Sequence, residues 1–244
     1  MFERPQHRMV LAVLGSLRTD LLSSCKFLFG GGTRIVLELD EYRESHDIDF
    51  LCSDASGYGE LRFVATQQGY EGLFTPEMSD KLQFPREMRV DQYGIRFRAI
   101  YGDALLGVEL IREARIDLGP GVRPPWSPVD CLSLEDCCAE KLLANSDRWA
   151  DHQFLARDLI DLAFLRLRLG PIPEGVWQRV REAYKAAPET DLRKALAAFE
   201  ADQVHQQRCF EGLQMEGTRD RLFQGLALLR QDLTRPGPSA PFPS

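Results

Sequence analysis

The first fifty residues combine two hydrophobic periods. Apolar residues at helical spacing over 7–23 predict an amphipathic helix. A short apolar run over 26–29 then stops at three glycines, and helical spacing resumes over 33–39. This pattern predicts a strand, a tight turn and a second helix, followed by a buried strand that begins at Ile48.

Strand-like patterns dominate residues 82–117. Turn signals at Gly94 and at Gly102 separate the apolar runs, which predict an antiparallel meander that extends the first sheet. The runs cover 88–90, 95–101 and 105–111. Ahead of the meander we expect a loop of small residues over 53–59 and a helix over 61–68.

The second half of the chain is predicted to be helical. Four prolines over 119–128 exclude regular structure and mark a boundary. Ser133 with an acidic residue three positions later is a capping-box pattern, which predicts that a helix begins near Leu134. Residues 154–169 are apolar on nearly every side, which indicates a central, buried helix. Three further helices are expected over 176–187, 192–204 and 219–233.

Together these elements predict an α+β fold. Residues 1–120 are expected to form a mixed sheet with flanking helices. Residues 129–235 are expected to form an α-helical half that closes a cleft against the sheet. The proline-rich residues 236–244 are predicted to be disordered.

Composition narrows the class of protein. The chain has 244 residues, and 44% of them are hydrophobic, which is enough for a complete core. No apolar run approaches the roughly 20 residues of a membrane span, and the N-terminus lacks a signal peptide's apolar core and cleavage site. We therefore expect a cytoplasmic protein with no membrane partner. The six cysteines show no metal-binding spacing and are interpreted as reduced thiols.

Charge argues against a surface that coats nucleic acid. The formal net charge is -7 and the pI is about 5.2, so an RNA substrate would need a local basic patch. Four arginines on the predicted meander are candidates for it, although alternate strand positions equally fit an ordinary solvated face. They are Arg86, Arg89, Arg96 and Arg98.

Candidate chemistry centres on the glycine turn and the strand after it. Gly31 and Gly32 let the backbone approach a ligand, and Thr33 adds a hydroxyl at a helix start, where anions bind. Asp47 and Asp49 project from one strand face about 6 to 7 Å apart. Two repelling carboxylates suit a hard cation such as Mg²⁺ that bridges to substrate phosphates. The combination predicts a nucleoside triphosphate site, whereas either motif alone fits a plain loop or a solvated strand edge.

These motifs resemble those of the AbiEii/AbiGii toxin-type nucleotidyltransferases, a branch of the DNA polymerase beta-like nucleotidyltransferase superfamily. The resemblance is carried by Gly31, Gly32, Thr33, Arg43, Ser45 and Asp47-Ile48-Asp49-Phe50. It implies a nucleotidyltransferase fold in which these positions bind an NTP and Mg²⁺. It also implies transfer of a nucleoside monophosphate to an acceptor such as RNA or tRNA, and a cognate antitoxin of a type IV or abortive-infection system.

The resemblance further implies a third carboxylate on a strand beside the aspartate pair. There it helps to hold the metal and can accept the proton of the attacking hydroxyl. Glu109 is the candidate because it stands inside an apolar run, and it would complete the metal site with Asp47 and Asp49. Asp103 and Asp117 are less favoured because both lie in predicted turns, and an ordinary exposed glutamate remains the alternative.

A second motif lies in the helical half. Lys141 falls on an apolar helix face, where an unpaired ammonium is costly to bury and must meet an anion. The resemblance extends to Lys141, Arg148, Arg157, Asp158 and Asp161, and it implies that Lys141 contacts the triphosphate while an aspartate supports the site. A buried salt-bridge network that joins two helices is the alternative.

Two other functions remain open at the level of the sequence. An enzyme on the same fold could modify a small molecule, such as an antibiotic hydroxyl, and the acidic pI favours that acceptor. A non-catalytic nucleotide-binding protein could keep the fold, although the intact Asp47 and Asp49 argue against it. The motifs do not specify the NTP or the oligomeric state.

Overall fold

The structure of the chain is a computed structural model that describes residues 2–79 and 81–234. The predicted disordered segment 236–244 lies outside these residues. No helix among them is long and apolar enough to cross a membrane.

Helices make up most of the described chain. Four flank the strands in the first half: α1 (Pro5–Leu14), α2 (Thr19–Ser24), α3 (Gly31–Glu38) and α4 (Ala55–Gln68), with the short α5 (Pro76–Ser79) after them. The second half contains α6 (Leu134–Arg148), α7 (Arg157–Leu169), α8 (Glu174–Tyr184), α9 (Ala187–Ala201), α10 (Gln203–Gly212) and α11 (Arg219–Thr234).

The strands form one mixed sheet in the order β1-β2-β6-β5-β3, with β4 paired to β5. Among the strands of residues 2–79 and 81–234, β2 and β6 pair in parallel and the other strand pairs are antiparallel. The α+β fold, the meander and its attachment to the first strands are therefore confirmed. The strands are β1 (Leu28–Gly30), β2 (Ile48–Cys52), β3 (Leu82–Gln83), β4 (Arg89–Val90), β5 (Gly94–Tyr101) and β6 (Ala104–Arg112).

Two hydrophobic cores stabilise the fold. One packs α1, α2 and α4 against a face of the sheet, where Phe50, Val108 and Phe97 are buried. The other joins the C-terminal helices to α3 and to the opposite face of β1 and β2, with Ile35 and Leu51 among its members. Because side chains alternate along each strand, the residues between these buried positions point away from the first core.

The N-terminal helix prediction was wrong in its extent. Residues 7–23 form two helices, because the backbone turns at Gly15 and the carbonyl of Ser16 accepts the N–H of Thr75 at 2.8 Å. The loop predicted over 53–59 was also wrong. There α4 already begins at Ala55, where the carboxylate of Asp54 accepts the N–H of Gly57 at 2.7 Å and caps the helix.

In the second half, the helix start near Leu134 is confirmed, and Ser133 accepts the N–H of Asp136 at 3.0 Å as its cap. The central helix begins at Arg157, because residues 152–154 form a short 3₁₀ turn and the next two residues are left-handed. The helix predicted over 192–204 is divided at Asp202. Its side chain caps α10, which the sequence pattern missed.

Candidate active site

The open face of the sheet carries a row of charged side chains. Register pairs Asp49 on β2 with Glu109 on β6, and Glu109 with Arg96 on β5. Paired residues on neighbouring strands point to the same face, so the parallel strands bring the predicted third carboxylate beside the aspartate pair. Asp47 directly precedes β2 and lies against Gly107, where an added Cβ would come within 2.8 Å of its carboxylate.

Asp49 is the most perturbed of these carboxylates. Burial raises its pKa to about 7, with further increases from the negative charges of Asp47 and Glu109. Glu109 is more open, with 49% of its side chain exposed. These carboxylates repel one another in a partly buried position, and a bound cation would offset that repulsion.

The glycine turn approaches Asp49 closely. Gly31 opens α3 with a φ of +67°, and a Cβ there would lie 2.1 Å from a carboxylate oxygen of Asp49. A Cβ on Gly32 would lie 2.3 Å from the Arg43 guanidinium. Gly31 therefore requires glycine, and Gly32 leaves room for the Arg43 guanidinium. The turn brings the unpaired N–H groups of the α3 N-terminus to the carboxylates.

Thr33 occupies a different place from the one that the sequence suggested. It is fully buried, and its hydroxyl donates to the backbone oxygen of Asp47 at 2.5 Å and lies 2.8 Å from the hydroxyl of Ser45. Ser45 lines the cleft, whereas Thr33 does not. Thr33 thus fixes the backbone that carries Asp47.

Sequence reasoning missed His7, which is also fully buried and supports the same loop. Its Nε2 accepts the N–H of Ser45 at 3.2 Å, so Nδ1 carries the proton donated to Glu41 at 2.6 Å. Burial lowers the pKa of His7, which keeps the ring neutral. No motif marks this residue, because the contact spans 38 positions of the sequence.

Behind the glycine turn lies a buried ion network. Lys141 Nζ lies 2.8 Å from Asp158 and 2.7 Å from Asp161. The Arg43 guanidinium donates to both oxygens of Asp161 at 2.7 and 2.8 Å, and the Tyr42 hydroxyl donates to one at 2.6 Å. Burial alone would lower the pKa of Lys141, but the negative charges of Asp158 and Asp161 outweigh this effect and raise the pKa.

The network also holds Arg148, which donates to Asp158 at 2.6 and 3.0 Å. Lys141 lines the cleft with 8% of its side chain exposed, and Asp158 lies behind it. Arg157 lines the cleft over the ring of Phe154 and forms no ion pair within 2–79 and 81–234. Arg157 is therefore the cation of this motif that is available to a ligand.

One cleft of about 830 Å³ lies between the sheet and the helical half, and it is lined by the glycine turn, the three carboxylates, Lys141, Arg148 and Arg157. Within the described ranges, no three histidine, cysteine or acidic side chains are gathered closely enough to form a ready-made metal site. Mg²⁺ needs no such cage, because one or two carboxylates with substrate phosphates and water commonly hold it. The hard oxygen donors of Asp47, Asp49 and Glu109 fit that ion.

Comparison with known proteins identifies the family. The family described as "Nucleotidyl transferase AbiEii toxin, Type IV TA system" matches residues 14–228. The chain belongs to the AbiEii nucleotidyltransferase family. Membership confirms the resemblance and assigns nucleotidyl transfer in general to the chain. It also implies a nucleotide substrate and a cognate antitoxin.

Several solved structures are similar to the chain along most of its length. JHP933 from Helicobacter pylori is 17% identical over 96% of this chain and 95% of its own, with a TM-score of 0.50. Another structure from H. pylori, described as a putative nucleotidyltransferase, is 18% identical over 93% of this chain and 94% of its own, with a TM-score of 0.48. The antibiotic-resistance factor ANT(2'')-Ia is 20% identical over 80% and 95%, with a TM-score of 0.41. No curated protein sequence matched the chain.

Proposed function

We propose that this AbiEii protein transfers a nucleoside monophosphate from a Mg²⁺-bound NTP to a hydroxyl of RNA, tRNA ends included, as a toxin. The observation that carries the proposal is the row of Asp49 and Glu109, with Asp47 beside it, facing the glycine-lined start of α3. This arrangement places anion-binding N–H groups and metal-binding carboxylates on one cleft. A triphosphate with its metal ion needs both.

The phosphates would bind the N–H groups of Gly31 and Gly32, with Arg157 as a further donor. Lys141 contributes through the network behind the turn. This network has a net charge of +1 near the cleft. Its three cations are Lys141, Arg43 and Arg148, and its two carboxylates are Asp158 and Asp161. That fixed charge favours the polyphosphate and the departing pyrophosphate.

Asp47, Asp49 and Glu109 would hold the Mg²⁺. When bound, the ion would neutralise charge on the phosphoryl oxygens and orient them. Glu109 is exposed and lines the cleft, so it can accept the proton of the acceptor hydroxyl. As that oxygen forms its bond to the α-phosphorus, the bond to pyrophosphate breaks. The rest of the catalytic effect is positioning and electrostatic stabilisation.

The test is incubation of the purified protein with each labelled NTP, Mg²⁺ and total cellular RNA. We expect wild type to label RNA and the Asp47→Ala and Asp49→Ala variants to label none. Asp103→Ala is the matched control, because Asp103 is an exposed aspartate in the β5 to β6 turn outside the cleft lining. It should label RNA like wild type.

Thermal unfolding with Mg²⁺ and NTP separates the alternatives. A ligand at 100 times its Kd adds about 2.7 kcal/mol to the free energy of unfolding. Stabilisation without labelled RNA would contradict the RNA acceptor and point to a small-molecule hydroxyl. Neither stabilisation nor labelling would contradict the enzyme and leave a protein that only keeps the fold.

The same assay tests Glu109 as the third carboxylate. If it accepts the proton and helps to hold the metal, Glu109→Ala should abolish labelling, whereas Asp103→Ala and Asp117→Ala should not. Glu109→Gln should also be inactive, because an amide cannot accept the proton. An active Glu109→Gln enzyme would contradict this role.

A further inference from the structure

The two sides of the carboxylate row differ in character. On one side lie Gly31 and the start of α3, with Arg157 on the facing helix. On the other side the sheet continues into β5, where register places Arg98 opposite Gly107 and Arg96 opposite Glu109. The row is therefore flanked by a compact anion site and by an open strip of sheet that carries arginines.

Two arginines on the open strip have charges that nothing in the described chain neutralises. Arg98 on β5 and Arg86 on the β3 to β4 connection are exposed, line the cleft and form no ion pair within residues 2–79 and 81–234. Glu87 is exposed beside Arg86 without pairing to it. By contrast, Arg96 lies 3.4 Å from Asp91 and 3.8 Å from Glu109.

Gly107 lies opposite Arg98 in the register, and the carboxylate of Asp47 packs over it. It has no side chain, and a Cβ there would come within 2.8 Å of the Asp47 carboxylate. A strand that approaches from the exposed arginines would therefore meet the Asp47 carboxylate at Gly107, and Glu109 lies two residues further along β6 on the same face. The path ends at the carboxylate to which we assign the proton of the acceptor hydroxyl.

We propose that Arg86 and Arg98 bind the backbone phosphates of the 3′ end of a single-stranded RNA acceptor, which runs along this strip of the sheet to present its terminal hydroxyl to Asp47 and Glu109. The triphosphate then occupies the opposite side of the row at the α3 N-terminus. This inference rests on the proposed function. It adds the direction from which the acceptor enters and the residues that hold it.

The chemistry of the strip favours a polyanion over a small aminoglycoside-like acceptor. Free guanidinium groups attract phosphate and repel a cationic ligand. An overall charge of -7 also disfavours nucleic acid elsewhere on the surface. Local arginines beside the catalytic row therefore provide the attraction that an RNA end needs.

The experiment measures binding of a short fluorescent oligoribonucleotide as a function of salt, together with label transfer to the same RNA. Each phosphate contact contributes about 0.7 to the slope of log K against log salt for a single strand, which is about fivefold in affinity at 0.1 M salt. We expect Arg86→Ala and Arg98→Ala each to weaken RNA binding by about that factor and to reduce the slope. The double variant should lose both contributions.

Arg62→Ala is the matched control. Arg62 is an exposed arginine without an ion pair among the described residues, and it lies on α4, which packs under the other face of the sheet. It should bind RNA like wild type. The Arg86 and Arg98 variants should keep the full thermal stabilisation by Mg²⁺ and NTP, because their side chains lie away from the triphosphate side.

The outcomes separate the acceptor path from the function itself. If wild type labels RNA while the Arg86 and Arg98 variants bind and label it like Arg62→Ala, the path is wrong and the transferase remains. If RNA binding depends on both arginines but no label is transferred, the RNA surface remains and the transfer reaction is wrong. If wild type neither binds nor labels RNA, both proposals are overturned.

Discussion

At the scale of single residues, a charged group that is placed for the reaction lowers the stability of the ligand-free protein. Asp49 keeps a carboxylate in a partly buried position next to two others, and burial with these neighbours raises its pKa to about 7. Removal of its charge should therefore stabilise the protein without ligand, as substitutions of strained functional groups often do. The same charge is indispensable to the proposed reaction.

We predict that Asp49→Asn raises the free energy of unfolding of the ligand-free protein by about 1 kcal/mol and abolishes RNA labelling. Thermal unfolding at pH 8 is the measurement. Asp47→Asn is the control, because Asp47 is exposed and has less to gain from loss of its charge. It should abolish labelling with little change in stability. A less stable Asp49→Asn protein would refute the prediction.

A second perturbed carboxyl also lines the cleft. Glu140 on α6 and Glu113 after β6 share the Arg115 guanidinium at 2.8 and 2.7 Å. Burial, and then the charge of Glu113, raises the pKa of Glu140 from about 4.5 to about 8. The folded protein therefore holds this proton at a pH where the unfolded chain has released it, so stability from this group falls as pH rises from about 4.5 to 8.

We predict that Glu140→Gln is more stable than wild type at pH 8 and closer to it at pH 5. The amide oxygen can still accept from Arg115, and the amide nitrogen can donate towards Glu113. Thermal unfolding at both pH values tests this. Glu135 lies at the exposed start of the same helix. The Glu135→Gln variant should therefore differ in stability from wild type by the same amount at both pH values. A Glu140→Gln effect independent of pH would contradict the raised pKa.

At the scale of elements, α6 and α7 are joined by ions as well as by apolar packing. Lys141 sits between Asp158 and Asp161 and is 8% exposed. Loss of one partner from a buried pair leaves an uncompensated charge and typically costs about 3 to 5 kcal/mol. Loss of activity in a Lys141 variant would therefore not by itself show that the lysine binds phosphate.

We predict that Lys141→Met lowers the stability of the ligand-free protein by about 3 kcal/mol or more, whereas Arg157→Ala leaves it nearly unchanged. Arg157→Ala should instead reduce the stabilisation by Mg²⁺ and NTP, because this arginine is free to meet the triphosphate. Thermal unfolding with and without ligand gives both quantities. A stable Lys141→Met protein that no longer responds to Mg²⁺ and NTP would instead support direct contact by the lysine.

The local elements were largely predictable from the sequence, and the long-range contacts were not. The start of α6 could be predicted from Ser133, because a helix cap acts within one turn of the chain. Glu109 could be selected because it is a charged residue within an apolar run. The start of α4 was not predicted, because the small residues after Asp54 are typical of a loop. The role of His7 could not be predicted, because its contact with Ser45 forms only when α1 packs against the segment that carries Ser45.

At the scale of the whole molecule, the predicted boundary near residue 120 does not divide the cores. The core of the helical half includes Ile35 from α3, and Tyr42 stacks on Phe164 with ring centroids 3.8 Å apart. The carbonyl of Asp130 accepts the N–H of Phe29 at 2.8 Å beside the short strand β1. The segment after the boundary therefore completes the sheet and covers its helix.

We predict that a fragment of residues 1–120 does not fold on its own. It would expose the apolar face of α3, and it would leave Tyr42 and Arg43 without Asp161, whose carboxylate they share at 2.6 to 2.8 Å. Circular dichroism during heating should show no cooperative transition for the fragment and one transition for the full chain. Co-expression with residues 121–244 should restore that transition, because both cores are then complete. A fragment that melts cooperatively alone would show that the first half is an independent domain.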